Sequence, residues 1–332
     1  MRLVDFAPLG RSVSAIGFGC ASLGSRIDAR RGREALARAY DAGVSWFDVA
    51  PPYGDGHAEI LLGEFLAGKR SQVSICTKVG ILPSRAPFAL RIARPIVRQV
   101  IGLVPKLRKQ VAGFRPAAQS VRLTGSFIES SVVESLKRLQ TDYIDVLALH
   151  EPQLADVQRE DVREALDTVV SKGYARTVSV AGDLNVAVAA VALSKHFGVI
   201  QVASNPYARS VALAKQQLPV GRSVGFVTHS VYGHGGSLDT LMATITKQAN
   251  TRALMDSMGY CGTSKNAAAA FLLDFALASN SEGVILLSMY EQQHFSFNIG
   301  RLTASPPPEV VLNLANHINP PQAYPGLLEG MA

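Results

Sequence analysis

Cysteine, tryptophan and long apolar runs are scarce in this chain, and each scarcity closes off a class of protein. Cys20, Cys76 and Cys261 are the only cysteines in 332 residues, and they show neither metal-ligand nor redox spacing. That excludes a zinc module or a disulfide framework and makes a reducing compartment the simpler setting. No charged-then-apolar leader opens the chain, because Asp5, Arg11 and Ser12 interrupt its first segment. The longest apolar helix candidate, AAAAFLLDFALA, is broken by Asp274 and falls short of the ~20 residues that cross a bilayer. These absences predict a soluble, cytoplasmic protein. Acid is also missing, but only locally. Between Ser84 and Ile128 stand nine basic residues (Arg85, Arg91, Arg94, Arg98, Lys106, Arg108, Lys109, Arg115, Arg122) and no Asp or Glu. The net charge is +7, so without those nine the rest of the chain stands at −2. The basicity belongs to one segment and not to the whole surface.

What is present is a regular alternation. Apolar runs rich in β-branched residues occur at SAIGFG (14–19), SWFDV (45–49), VSICTK (73–78), YIDVLALH (143–150), TVSVA (177–181), VIQVAS (199–204), VGFVTHS (224–230) and GVILLS (283–288). Helix-period stretches lie between them, including RRGREALARAYDAG, HAEILLGEFLAG, FIESSVVESLKRLQ, REDVREALDTVVSKG and KNAAAAFLLDFALAS. Strands apolar on both faces need cover on both sides, which implies a parallel sheet. Eight such strands with intervening helices predict an α/β fold, a (β/α)8 TIM barrel of one domain over residues 1–332. A doubly wound sheet is the alternative. It is disfavoured because no GxGxxG follows an early strand, and GFGCASLG has the wrong spacing. Two stretches interrupt the alternation: the basic segment after strand 3, read as an insertion or lid over 82–125, and a Gly-rich loop from Val231 to about Thr263.

Polar residues then stand where barrel enzymes keep their chemistry. FDVAPPYG, SICTKVG and VLALHEP place Asp48, Lys78 and His150 at the carboxyl ends of strands 2, 3 and 4, with Tyr53 in the loop after strand 2. A phenol, an ammonium, a carboxylate and an imidazole together make a proton-transfer centre suited to a carbonyl. Taken singly, each has a blander reading as a solvated charge or a structural histidine. With SVVESLKRLQTDYIDVLALHEP added, the chain from about Leu9 to Asn298 resembles the aldo-keto reductase family, more weakly after Ser179. The resemblance implies an NADP- or NAD-dependent oxidoreductase acting on a small carbonyl or alcohol, a sugar or a simple aldehyde or ketone. In it Tyr53 is the general acid/base, Lys78 lowers its pKa, Asp48 compensates the lysine, and His150 orients the substrate.

The cofactor positions depart from the family pattern. Where the family carries a Ser-Asn pair at the end of strand 5, this chain has Ala181 and Gly182. The strand 6 glutamine is placed at Ser204, with Gln201 or Asn205 as substitutes, and the aromatic after strand 7 at His229, with Tyr232 nearby. After strand 8, Ser288 and His294 replace basic contacts to an adenosine 2′-phosphate, and Asn298 fits the pattern's asparagine. Without a Lys or Arg fork, NADP preference has no side-chain support there, with Lys265 and Arg301 as the cations that could reach in. The eroded cofactor positions keep two further readings open: a cofactor-independent acid/base enzyme (lyase or isomerase), or a non-catalytic binding protein.

The basic segment has its own expectation. Arg91, Arg94 and Arg98 share a helical stripe beside Leu90, Ile96, Val97, Val100, Ile101 and Val104, and Pro95 divides it. A lid over the barrel mouth or a disordered loop is favoured, docking on a membrane surface or a partner through 85–115 comes next, and recognition of an anionic substrate by one or more of the arginines is the third reading. Nucleic acid is not expected, since no aromatics interleave the Arg91–Arg98 stripe and the rest of the chain is slightly acidic. No metal site is expected.

Overall fold

The computed structural model describes residues 1–83, 119–233 and 236–320, with only the backbone for Asp55 and Gln119. The described residues form twelve strands, β1 to β12 in chain order. Leu3–Phe6 (β1) and Arg11–Ser14 (β2) form an antiparallel hairpin. Ile16–Gly19 (β3), Trp46–Asp48 (β4) and Ser74–Val79 (β5) start the barrel. Ile81–Leu82 (β6) and Gln119–Ser120 (β7) pair antiparallel. Ile144–His150 (β8), Ala175–Ala181 (β9), Phe197–Ala203 (β10), Gly225–His229 (β11) and Val284–Leu287 (β12) complete it. The closed order is β10-β11-β12-β3-β4-β5-β8-β9, with every barrel pairing parallel. All eight runs read from the sequence are barrel strands.

The period of two along each strand divides the apolar residues into two cores. One lies inside the barrel, where Trp46, Cys76, Val146, Ala148, Val199, Val227, Val284 and Leu286 meet. The other lies between strands and helices, with Ile75, Leu147, Val178, Val202 and Ile285 packing against Leu36, Ile128 and Phe271. The β1–β2 hairpin, which strand periodicity did not reveal, joins the inner core and closes the amino-terminal end. There Phe6 lies edge-on to Trp46, ring centroids 5.1 Å apart.

Helices occupy the expected stretches: Ala29–Asp41, Ala58–Leu66, Gly125–Leu139, Glu160–Ser171 and Ser264–Ser279. The region from Val231 to Thr263, expected as an irregular loop, contains two helices, Ser237–Lys247 and Ala249–Ser257. Its apolar residues explain the difference: Leu241 and Ile245, four apart, are both buried, as is Met255, in the outer core, with Ser237–Lys247 packed on the helix Ser264–Ser279. Most of the 82–125 insertion, and the 85–115 surface considered for membrane contact, fall within residues 84–118 and lie outside the described residues. Among the described residues no helix is long and apolar enough to cross a membrane.

Candidate active site

Period-two alternation carries directly to the site. Inward-facing positions run Trp46–Asp48 on β4, Cys76–Lys78 on β5, Val199–Gln201 on β10 and Val227–His229 on β11. Their last members therefore meet at the carboxyl-terminal end of the barrel. Register brings them level: Gly19 opposite Asp48, Asp48 opposite Cys76, and His150 opposite Ala181, which in turn faces Gln201. Tyr53 enters from a one-turn 3-10 helix, Tyr53–Gly56, after β4. Gly54 follows it at φ +62°, and a Cβ there would stand 2.3 Å from the Leu23 carbonyl oxygen. Glycine is required for that turn to close. These residues line a cavity of about 460 Å³.

Lys78 holds the centre together. Its ammonium has three donors, and each has a partner: Asp48 Oδ1 at 2.5 Å, the Val49 carbonyl at 3.1 Å and Tyr53 Oη at 3.2 Å. Asp48 Oδ2 accepts from Gln201 Nε2 at 2.9 Å. A carboxylate only accepts, so the Gln201 amide nitrogen must face it. That leaves Gln201 Oε1 to accept from the Cys76 thiol at 3.5 Å. Asp48, Lys78 and Gln201 are each no more than 3% exposed. His150 stands across from Tyr53, with the rings perpendicular and centroids 6.1 Å apart.

Burial and charge set the protonation states. Burial alone would lower the Lys78 pKa, but Asp48, reinforced by Tyr53 and Cys76, outweighs it and keeps the ammonium above its ordinary value. Burial pushes the Cys76 thiol well up, with Asp48 adding to it, so it remains a donor. For Tyr53 the expectation of a lowered pKa is corrected. Burial raises it and outweighs the neighbouring Lys78, and Asp48 pushes in the same direction as burial. The phenol is thus a protonated group at rest, with the ammonium limiting how far it rises. His150 is held down at about 3, chiefly by burial and then by Lys78, and is neutral at ordinary pH.

The cofactor positions divide. His229 and Ser288 line the cavity, and His229 Nδ1 lies 2.9 Å from Ser230 Oγ. Ser204 does not line it. It is three residues beyond Gln201, on the opposite parity of the chain, and its buried hydroxyl has no partner among the described residues. Gln201, offered above as a substitute for Ser204, faces inward and lines the cavity, and its parity with Val199 was the available signal. Asn205 accepts from the Tyr207 and Ala208 amides and so shapes a turn. His294 is exposed on the helix Gln292–Ala304, off the cavity wall. Asn298 is buried and accepts from the Tyr232 hydroxyl at 3.2 Å, so it supports a wall residue without being one. Arg301 is committed to the buried Asp274, its Nε at 2.9 Å, and Lys265 is exposed and does not line the cavity. Glu151, not singled out from the sequence, does line it.

The residues suit a nicotinamide and its ribose. Gly19 and Ala21 leave cavity space unfilled, and Gln201, Ser230, Tyr232 and Ser288 provide neutral polar groups. Apart from Lys78, no Lys or Arg lines the cavity among the described residues.

The aldo/keto reductase family model matches residues 15–310. D-threo-aldose 1-dehydrogenase of a Pseudomonas species is 29% identical over 241 residues, 69% of this chain and 69% of that protein. L-galactose dehydrogenase of Arabidopsis thaliana is 28% identical over 193 residues, 55% of this chain and 50% of that protein. In structure, an aldo-keto reductase from Klebsiella pneumoniae in complex with NADPH superposes with a TM-score of 0.65 at 20% identity, over 97% of this chain and 96% of that one. A match running from β3 to the last described helix, over a barrel that gathers a Tyr, a Lys, an Asp and a His at its carboxyl end, settles the assignment: the chain belongs to the aldo/keto reductase family of NAD(P)-dependent oxidoreductases.

Proposed function

We propose that Tyr53 is the proton donor and acceptor for the interconversion of a small hydroxylated carbonyl compound and its alcohol. The carrying observation is the direction of one hydrogen bond. Lys78 donates to Tyr53 Oη, so the phenolic hydrogen is not used on the lysine and is available to the cavity. When bound, a nicotinamide supplies the hydride to the carbonyl carbon or accepts it in the reverse direction. Gln201, Ser230, Tyr232 and Ser288 would hold its nicotinamide end. The developing alkoxide takes the Tyr53 proton, and the phenolate left behind is stabilised by the Lys78 ammonium. In oxidation the same phenolate removes the alcohol proton. Neutral His150 donates one N–H to the substrate oxygen without competing as an acid. Buried Asp48 keeps Lys78 charged, and Gln201 keeps Asp48 oriented.

The substrate class follows the relatives that act on aldoses, and the polar wall of the cavity suits hydroxyl groups. Among the described residues no Lys or Arg beyond Lys78 lines the cavity to support a strong preference for a 2′-phosphate, so NADH and NADPH are expected to bind within about tenfold of each other. The test is Tyr53→Phe, assayed for turnover and for cofactor binding by nicotinamide fluorescence. Turnover should fall by about a thousandfold or more, with cofactor Kd within about twofold. Turnover near that of the wild type would overturn the assignment.

A further inference from the structure

Glu151 occupies a backbone conformation that its side chain does not favour. Its φ is +52°, in the left-handed region, and it directly follows His150 at the cavity wall. Four non-glycine residues among those described have positive φ. Gln140 and Arg209 flank helices, whereas Glu151 and Ser230 line the cavity. Glycine or asparagine would hold this conformation at less cost. The turn is nevertheless tightly specified. The Glu151 amide donates to the Ala181 carbonyl at 2.8 Å. A Cβ on Gly80, itself at φ +125°, would stand 3.0 Å from the His150 carbonyl oxygen. A Cβ on Gly182 would stand 3.1 Å from Glu151 Oε2 and 3.2 Å from Glu151 Cα. Glycines in two neighbouring loops therefore make room for the turn, and Gly182 makes room for the carboxylate itself. Strain kept in place by its surroundings at a cavity wall points to use of the side chain.

The electrostatic setting shows what that use is. Within the cavity Lys78 and Asp48 neutralise each other as a buried pair, and Ala181 and Gly182 contribute no polar side chain beside Glu151. The Glu151 carboxylate is exposed, and among the described residues it pairs with no cation and accepts no hydrogen bond. We infer that Glu151 is a specificity-determining residue, which favours neutral or cationic hydroxyl-bearing carbonyl substrates and rejects those that carry a carboxylate. This rests on the reading of Tyr53 and His150 as the groups that meet the carbonyl. A substrate hydroxyl donates to the carboxylate, whereas a substrate carboxylate meets a like charge and an acceptor with no donor to offer.

The test compares glyceraldehyde with succinic semialdehyde, a neutral and an anionic aldehyde, in the wild type, Glu151→Gln and Glu151→Gly. Binding is followed by ligand-observed NMR and turnover by steady-state kinetics. Glu151→Gln should tighten succinic semialdehyde binding by about 10-fold or more, as expected for a like charge removed from a partly wet site. Glyceraldehyde binding should change by less than about threefold, because the amide oxygen still accepts. Glu151→Gly should show the same gain for the anion with a Tm equal to or above that of the wild type, which separates the effect from loss of fold. An unchanged ratio of the two affinities in both variants would overturn the inference. Because binding is read without turnover, a wild type that reduces neither aldehyde would count against the Tyr53 reading alone.

Discussion

Gln201 donates its amide to Asp48 Oδ2 at 2.9 Å across the barrel, from β10 to β4, while Asp48 Oδ1 accepts from Lys78. Both oxygens of a buried carboxylate are thereby satisfied, and the ion pair that stabilises a Tyr53 phenolate is held in one geometry.

Replacing Gln201 with Leu keeps an apolar volume but leaves Asp48 Oδ2 without a donor, a loss of about 1–3 kcal/mol. The carboxylate charge is then less shared, and since Asp48 raises the Tyr53 pKa, the phenol should rise further. In alcohol oxidation the limb of kcat/KM that rises with pH should move to higher pH and the plateau should fall by about tenfold. An unmoved pH profile would reduce Gln201 to packing.

Asp48→Asn strips a buried ammonium of its partner. Breaking such a pair from one side costs about 3–5 kcal/mol, measured by urea unfolding. Asp48→Leu combined with Lys78→Met should lose less stability than Asp48→Asn, since no charge is left buried. In the folded fraction of Asp48→Asn, Tyr53 should titrate at lower pH than in the wild type, because one of the influences raising it is gone.

His150 produces an acid-side signature. Folded, it resists protonation down to about pH 3, against an ordinary value of 6.5. The unfolded chain takes up the proton first, so this contribution to stability is complete above about pH 6.5 and drains as pH falls toward 3. Between pH 6 and 4 the wild type should lose up to about 1 kcal/mol per pH unit more than His150→Gln. Parallel stability curves from pH 7 to 4 would contradict the buried, neutral imidazole.

Arg301 is predicted to be structural. It pairs with Asp274, which is fully buried and also accepts from Tyr260 at 3.0 Å and Ser305 at 2.6 Å. Arg301→Ala should destabilise by about 3 kcal/mol and leave the ratio of NADPH to NADH affinity unchanged. A selective loss of NADPH binding would instead assign it to the 2′-phosphate.

Much of the architecture was legible because parallel strands covered on both faces are continuous apolar runs, and eight of them stood out. Asp48, Lys78 and His150 were legible because each ends such a run with a polar group. Ser204 stands off the cavity wall for a local reason. It stands three positions after Gln201 and one past the end of β10, and its hydroxyl does not share the Gln201 side of the barrel. The two helices between Ser237 and Ser257 were hidden by the glycines that precede them, and the amino-terminal hairpin by its polar alternate residues.

The sequence by itself determined the barrel, the order of its strands and which polar groups end them, because periodicity and chain order are local properties. Only the tertiary structure decided which of these groups touch. The Gln201–Asp48–Lys78–Tyr53 chain joins residues up to 153 positions apart, set by strand register around a closed sheet. The net direction of the Tyr53 pKa likewise depends on how much water the folded barrel excludes. The place of Glu151 was decided in the same way, by two glycines in neighbouring loops that allow its strained turn to reach the cavity.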